Sequence, residues 1–216
     1  RDILPITDAD LETEDHVILF YTGRSQHKDT RGSSGNDWNN EHVWPRSLGS
    51  FSTTSTMGTD LHNLKPTDAS MNSIRANFNF DNGGQKVEDT YGPGSSFCYM
   101  TSNSFEPRDE VKGDVARILF YMAIRYQGTV SGELNLELND DLNTTGPLMG
   151  RISVLLEWHE ADPVDDFERR RNDVIYDYQE NRNPFIDYPE FVAMICGPLT
   201  ETNEIEEADF EIRIPL

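Results

Sequence analysis

Asn40-Glu41-His42-Val43-Trp44-Pro45, then Asp60-Leu61-His62-Asn63-Leu64-Lys65-Pro66, then Asn72-Ser73-Ile74-Arg75-Ala76-Asn77-Phe78 is the stretch on which the reading of this chain turns. Asn40 to Trp44 reads as a short extended segment stopped by Pro45, whose missing N–H and fixed φ end a ladder. Ser47 to Gly58 is a Ser/Thr/Gly loop with almost no charge. Thr67 or Asp68 then offers a side-chain oxygen to cap a helix over Ala69 to Ala76. The order is strand, long loop, helix.

Those residue types carry chemistry. Glu41 offers a hard anionic oxygen and Asn72 a neutral amide oxygen, a pair that suits Mg²⁺, which prefers oxygen and keeps several waters. His42 follows directly, and an imidazole with an ordinary pKa near ~6.5 is the side chain best fitted to take a proton from water at neutral pH. Neighbours on a regular strand face opposite ways, so Glu41 and His42 share a site only where the strand bends. Asn72 and Arg75, three residues apart, share a helix face, which predicts a metal ligand and a phosphate-binding cation projecting together.

Outward from this stretch, His16 to Thr22 (HVILFYT) is β-branched and aromatic and reads as a buried strand punctuated by Gly23. Arg24 to Asn40 reads as a polar loop, and the turn-rich Asn82 to Ser104 as an excursion with short strands. Beyond Asp109 the pattern becomes helical. Val111, Val115, Ile118, Leu119 and Met122 recur every three or four residues on a helix ended by Gly128. Further helices are expected near Arg151 to Glu160, Val164 to Glu180 and Pro189 to Ile195. The class is α+β: a helix-rich single domain over residues 1–200, followed by 201–216 as an acidic tail or linker, whose stretch from Glu201 to Glu211 has six acids and no base.

The 216 residues carry 18 Lys and Arg against 39 Asp and Glu, a formal charge of −21. Charge alone argues against nucleic acid or an anionic membrane as partner. Its distribution argues otherwise: from Glu41 to Lys86 the bases Arg46, Lys65, Arg75 and Lys86 balance the acids Glu41, Asp60, Asp68 and Asp81. The longest apolar run, Ile118 to Ile124, is far too short to cross a bilayer, so a soluble protein is expected. Cys98 and Cys196 are compatible with one disulfide or two buried thiols. A start at Arg1 without a leader segment suggests processing.

The blocks WNNEHVWPRS, TDLHNLKPTD and MNSIRANF resemble the bacterial endonuclease I family, secreted or periplasmic nucleases of the ββα-metal (His-Me finger) group. HVILFYTGRS, DEVKGDVARILFYMAIRY and the long LLEWHEADP block extend the resemblance over most of residues 16–197. It implies a ββα-metal motif within the domain and a Mg²⁺-dependent endonuclease that cuts DNA, and RNA in many relatives, without sequence specificity and leaves 5′-phosphates; nothing in the sequence demands more than a monomer. Mn²⁺ or Ca²⁺ could stand in the same site. His42 would be the general base, and Glu41 and Asn72 would hold an ion that offsets charge on the scissile phosphate and the departing 3′ oxygen. Where relatives carry a loop arginine, Ser47 to Thr59 has none, and Arg75 is the first candidate for its role, with Arg46 and Arg24 as further phosphate contacts. His62 and Asn63 read as structural, His159 as packed, and Arg169-Arg170-Arg171 as paired with neighbouring acids. The competing reading, motivated by the charge, is a silent nucleic-acid mimic or binding module on the same fold.

Overall fold

The computed structural model describes residues 3–92, 94–142 and 145–195, so Cys196 and the acidic stretch 201–216 lie outside the described residues. A short helix α1 (Leu4–Thr7) leads into β1 (His16–Ile18) and β2 (Ser25–His27), paired antiparallel. The strand expected over residues 16–22 is therefore cut to three residues, and the polar stretch after it is no plain loop. The chain turns over instead, with Gly23 at φ +67° and its N–H donating to Leu19 O.

Next come β3 (Trp38–His42), α2 (Arg46–Gly49), α3 (Thr56–Thr59), β4 (Leu64–Asp68) and α4 (Ala69–Arg75). β3 and β4 pair antiparallel in the register Glu41 to Lys65 and His42 to Leu64. The loop expected between them contains two single-turn helices. Asp68 is the helix cap, its Oδ1 accepting the N–H groups of Ser70 and Met71. A four-stranded sheet follows, built of β5 (Asn79–Phe80), β6 (Gln85–Asp89), β7 (Gly94–Met100) and β8 (Ser104–Glu106) in the order β5-β8-β7-β6.

The apolar periodicity after Asp109 becomes α5 (Lys112–Arg125), buried from Gly113 to Met122. A parallel pair, β9 (Glu137–Asn139) and β10 (Leu148–Gly150), precedes α6 (Ile152–Ala161), α7 (Asp166–Gln179), α8 (Pro184–Asp187) and α9 (Phe191–Ile195). The main core packs Leu119, Phe120, Leu155, Trp158 and Phe185 around α5, and a smaller one holds Leu4, Val17, Leu19, Trp38 and Leu64 beneath β3 and β4. This is a mixed α and β chain.

Arg169, Arg170 and Arg171 are structural, but not through the acids beside them. Arg169 donates to Val164 O, Arg170 to Ile6 O and Thr7 O, and Arg171 to Asp8, Leu61 O and Leu64 O. They strap α7 to the N-terminus and to the start of β4.

The Asp60–Asn63 segment anchors that start from the other side. Asp60 Oδ2 accepts hydroxyl donors from Tyr121 and Tyr126, and Oδ1 accepts from Gln179 Nε2 and His62 N. Asn63 clamps the chain beyond β3, its Oδ1 accepting Trp44 N at 2.7 Å and its Nδ2 donating to Trp44 O. His62 is buried against the Tyr121 ring at 4.5 Å, and burial pushes its imidazole down to about 4. An unfolded histidine binds its proton below pH ~6.5, whereas the folded one does not until about pH 4. Stability is therefore full above pH ~6.5 and drains as pH falls toward 4, by up to about 3 kcal/mol from this group. Urea unfolding across that window should show the wild type losing this much more than His62→Gln; equal losses would sink the assignment.

Candidate active site

Glu41, His42 and Asn72 line one pocket of about 280 Å³, together with Asn40, Pro45, Arg46, Ser47 and Ala76. Two elements bring them there. β3 delivers Glu41 and His42 at its last two positions, where the clamp of Asn63 on Trp44 takes over from the ladder. α4, started by Asp68 directly after β4, lies across β3 and delivers Asn72.

Glu41 is 2% exposed. Tyr21 Oη donates to its Oε1 at 2.7 Å, and Arg75 Nη1 stands 3.3 Å from the same oxygen. Burial raises the Glu41 pKa, opposed by the Arg75 charge, the Tyr21 hydroxyl and the His42 N–H. Burial and the Glu41 charge together raise the Tyr21 phenol well above its ordinary value, so Tyr21 is a neutral donor.

Asn72 is oriented by acceptors. Its Nδ2 donates to Asn39 Oδ1 at 2.7 Å and to the Asn40 carbonyl at 3.2 Å. A carbonyl oxygen only accepts, so the amide cannot be flipped, and Oδ1 is the Asn72 atom on the other side.

His42 Nε2 lies 3.0 Å from Gly58 O. The same rule puts the hydrogen on Nε2 and makes Nδ1 the basic nitrogen of the neutral ring. The Phe51 ring flanks the imidazole at 6.1 Å. Gly58 has to be glycine for reasons of space, since a Cβ there would sit 1.8 Å from Ser52 O. The loop without arginine is thus the wall that holds the histidine.

The arginines divide. Arg75, the first candidate for phosphate contact, is fully buried: it donates to Val43 O at 2.7 Å and stacks its guanidinium on Phe80 at 4.6 Å. That enclosure leaves it no access to a phosphate, and it serves the Glu41 carboxylate instead. Arg24 is paired with Asp68 and lies 3.6 Å from Asp89, lining neither depression at the site. Arg46 does line the pocket. Arg31, which no sequence feature singled out, lines not that pocket but a second depression of about 360 Å³, shared with Asn39, Asn40, His42, Arg46 and Thr53. Arg31 stacks on Trp38 at 5.2 Å and donates to Asn40 Oδ1 at 2.7 Å. No spacing marks Arg31 in the sequence; only pairing of the chain ahead of β3 brings it there.

The donor set fits a hard divalent ion. One carboxylate oxygen and one amide oxygen face an open pocket with room for water ligands. Among the described residues no group of three His, Cys, Asp or Glu side chains could hold a metal, so such an ion would rest on Glu41, Asn72 and water.

The family model for endonuclease I matches residues 6–190. The extracellular ribonuclease of Bacillus amyloliquefaciens is 54% identical over 191 residues, covering 88% of this chain and 64% of that protein. The extracellular ribonuclease of Bacillus subtilis (strain 168) is 53% identical with the same coverage. The extracellular deoxyribonuclease of Aeromonas hydrophila is 29% identical over 133 residues, 59% of this chain and 48% of that protein. The chain thus spans less than two thirds of the length of these relatives.

Removing one partner of the buried pair should be costly. Arg75→Met leaves Glu41 without its cation and is expected to lose about 3–5 kcal/mol in urea unfolding at neutral pH. Adding Glu41→Gln should recover part of that loss. Simple additivity of the two single losses would mean that the pair is not coupled.

Proposed function

The chain belongs to the endonuclease I family, and from that premise we propose that it is a metal-dependent endonuclease hydrolysing phosphodiester bonds of DNA and RNA without sequence specificity. The observation that carries this is the meeting of Glu41, His42 and Asn72 on one pocket, with the histidine tautomer set by a carbonyl. On this reading β3, β4 and α4 are the ββα-metal finger. Glu41 and Asn72 hold the ion, of which Mg²⁺ suits the oxygen donors best and Mn²⁺ is a substitute.

When bound, the ion supplies charge stabilisation at the scissile phosphate and the leaving oxygen. His42 Nδ1 takes the proton of the attacking water while Nε2–H stays on Gly58 O, which keeps the ring aimed. The new P–O bond forms from that water, the bond to the 3′ oxygen breaks with its electron pair leaving on that oxygen, which takes a proton from solvent water, and the product retains a 5′-phosphate. Because the nucleophile is water and not a 2′-hydroxyl, the chemistry needs no ribose, which supports action on both polymers. The names of the relatives, two ribonucleases and a deoxyribonuclease, agree with that breadth.

Secretion to the exterior or periplasm is the setting supported by relatives named extracellular or periplasmic. No helix among the described residues is long and apolar enough to cross a membrane. We take the monomer as the active unit, since one chain carries every residue used. A silent mimic of nucleic acid is disfavoured, because it would have no use for a complete set of base and ligands.

Cleavage of supercoiled plasmid and of single-stranded RNA tests the reading. His42→Ala should lower turnover on both by roughly 10²–10⁴-fold with its circular dichroism unchanged, and a chelator should stop the wild type. Wild-type rates in His42→Ala would remove the base; full activity in chelator would remove the metal.

Arg31 and Arg46 are proposed as the phosphate contacts along the two depressions. Two contacts predict that the logarithm of duplex affinity falls against log salt with a slope of only about −1.8. In a His42→Ala background, Arg31→Ala and Arg46→Ala should each make it shallower by about 0.9, read by filter binding over a sodium chloride series. An unchanged slope in either would exclude that arginine.

A further inference from the structure

Both residues proposed to hold the ion are polar groups with two ends, and which end faces the pocket decides whether they can hold it at all. A carboxylate that rotates, or an amide that flips to present its NH₂, loses a ligand. In this molecule each is held from behind by a side chain that the reading of the site does not use.

Tyr21 belongs to the turn after β1, is fully buried, and packs its ring against Phe105 at 5.1 Å. Its hydroxyl meets Glu41 Oε1 from the interior, and Arg75 meets the same oxygen. With the Tyr21 hydroxyl donating to Oε1, the Arg75 cation beside the same oxygen and the carboxylate lining the pocket, Oε2 is the oxygen presented. Asn39, two residues before Glu41, is the counterpart for Asn72. Its Oδ1 accepts one Nδ2 hydrogen and the Asn40 carbonyl accepts the other, so Asn72 Oδ1 is turned toward the pocket.

We propose that Tyr21 and Asn39 are positioning residues for the metal centre, fixing Glu41 Oε2 and Asn72 Oδ1 as the two protein oxygens that meet the ion. Outer hydrogen bonds of this kind orient ligands in advance and set affinity as strongly as many direct contacts do. The division of labour is specific: Tyr21 acts only through the carboxylate, Asn39 only through the amide. The inference rests on the metal-nuclease reading above.

The test is Mn²⁺ binding to the full chain without nucleic acid, read from the electron paramagnetic resonance signal of unbound Mn²⁺. Tyr21→Phe deletes one oxygen and keeps the ring. Asn39→Leu keeps size and removes the acceptor, and Asn39→Asp restores it. Tyr21→Phe and Asn39→Leu should each bind Mn²⁺ roughly 10–100-fold more weakly than wild type, while Asn39→Asp should bind within a few-fold of it. Circular dichroism checks that each is folded, and Tyr21→Phe alone suffices should Asn39→Leu fail to fold. Wild-type affinity in folded Tyr21→Phe and Asn39→Leu would overturn the proposal and leave the metal reading standing. Absence of Mn²⁺ binding by the wild type would instead overturn the metal reading, and this proposal with it.

Discussion

A carboxylate enclosed by protein stays an anion only if donors and a cation reach it there, and Glu41 is the enclosed carboxylate to which the rest of the site is referenced. The turn after β1 supplies Tyr21, α4 supplies Arg75, and β3 supplies Glu41 itself. A neutral hydrogen bond contributes about 0.5–1.5 kcal/mol, whereas breaking a buried ion pair costs about 3–5 kcal/mol, so Arg75 dominates the stability of this junction. Tyr21 contributes less to stability and more to direction. Arg75 also donates to Val43 O, so the cation that neutralises the carboxylate is tied to the backbone just beyond it.

Much of this was legible in the sequence, for identifiable reasons. The helix at Val111 to Met122 announces itself by apolar spacing, and α4 by Asp68 at its cap. Glu41, His42 and Asn72 were singled out by residue chemistry and order, and the structure brings them to one pocket. Arg75 was expected to project with Asn72 as a phosphate-binding cation, because helical periodicity says only that the two share a face. It cannot say that the face is covered by Phe80 and the end of β3. Tyr21 was hidden in an apolar run, where a phenol looks like core and its hydroxyl goes unnoticed. The partners of Arg170 and Arg171, more than 100 residues away in sequence, had no local signal at all.

Other buried charges follow the same rule as Glu41. Asp8, Lys65, Asp114, Arg117, Glu168 and Arg171 form a chain of contacts in the interior, from Arg171–Asp8 at 3.0 Å through Lys65 to the two-pronged Arg117–Glu168 pair. Three acids meet three bases. Such a network costs desolvation that apolar residues would not, and what it supplies is registry: the residue that caps the end of α1, together with β4, α5 and α7, contributes charges that find their partners in only one arrangement. β4 is held by it, and β4 sets the register of β3.

Because the enclosed charges cancel in these sets, the −21 of the chain is carried outside them. On the proposed reading, a polyanionic substrate would meet repulsion at a distance and attraction where Arg31 and Arg46 line the depression beside His42. At an ionic strength near 0.15 M the Debye length is about 8 Å, so the distant repulsion is largely screened while contacts inside the depressions act at shorter range. Added salt weakens both, in opposite directions for binding. A nuclease with many lysines on an open face loses affinity steeply as salt rises. On the proposed reading, relief of the long-range repulsion would offset part of the loss of two phosphate contacts, and the net negative charge would make substrate capture depend on the few basic groups beside His42.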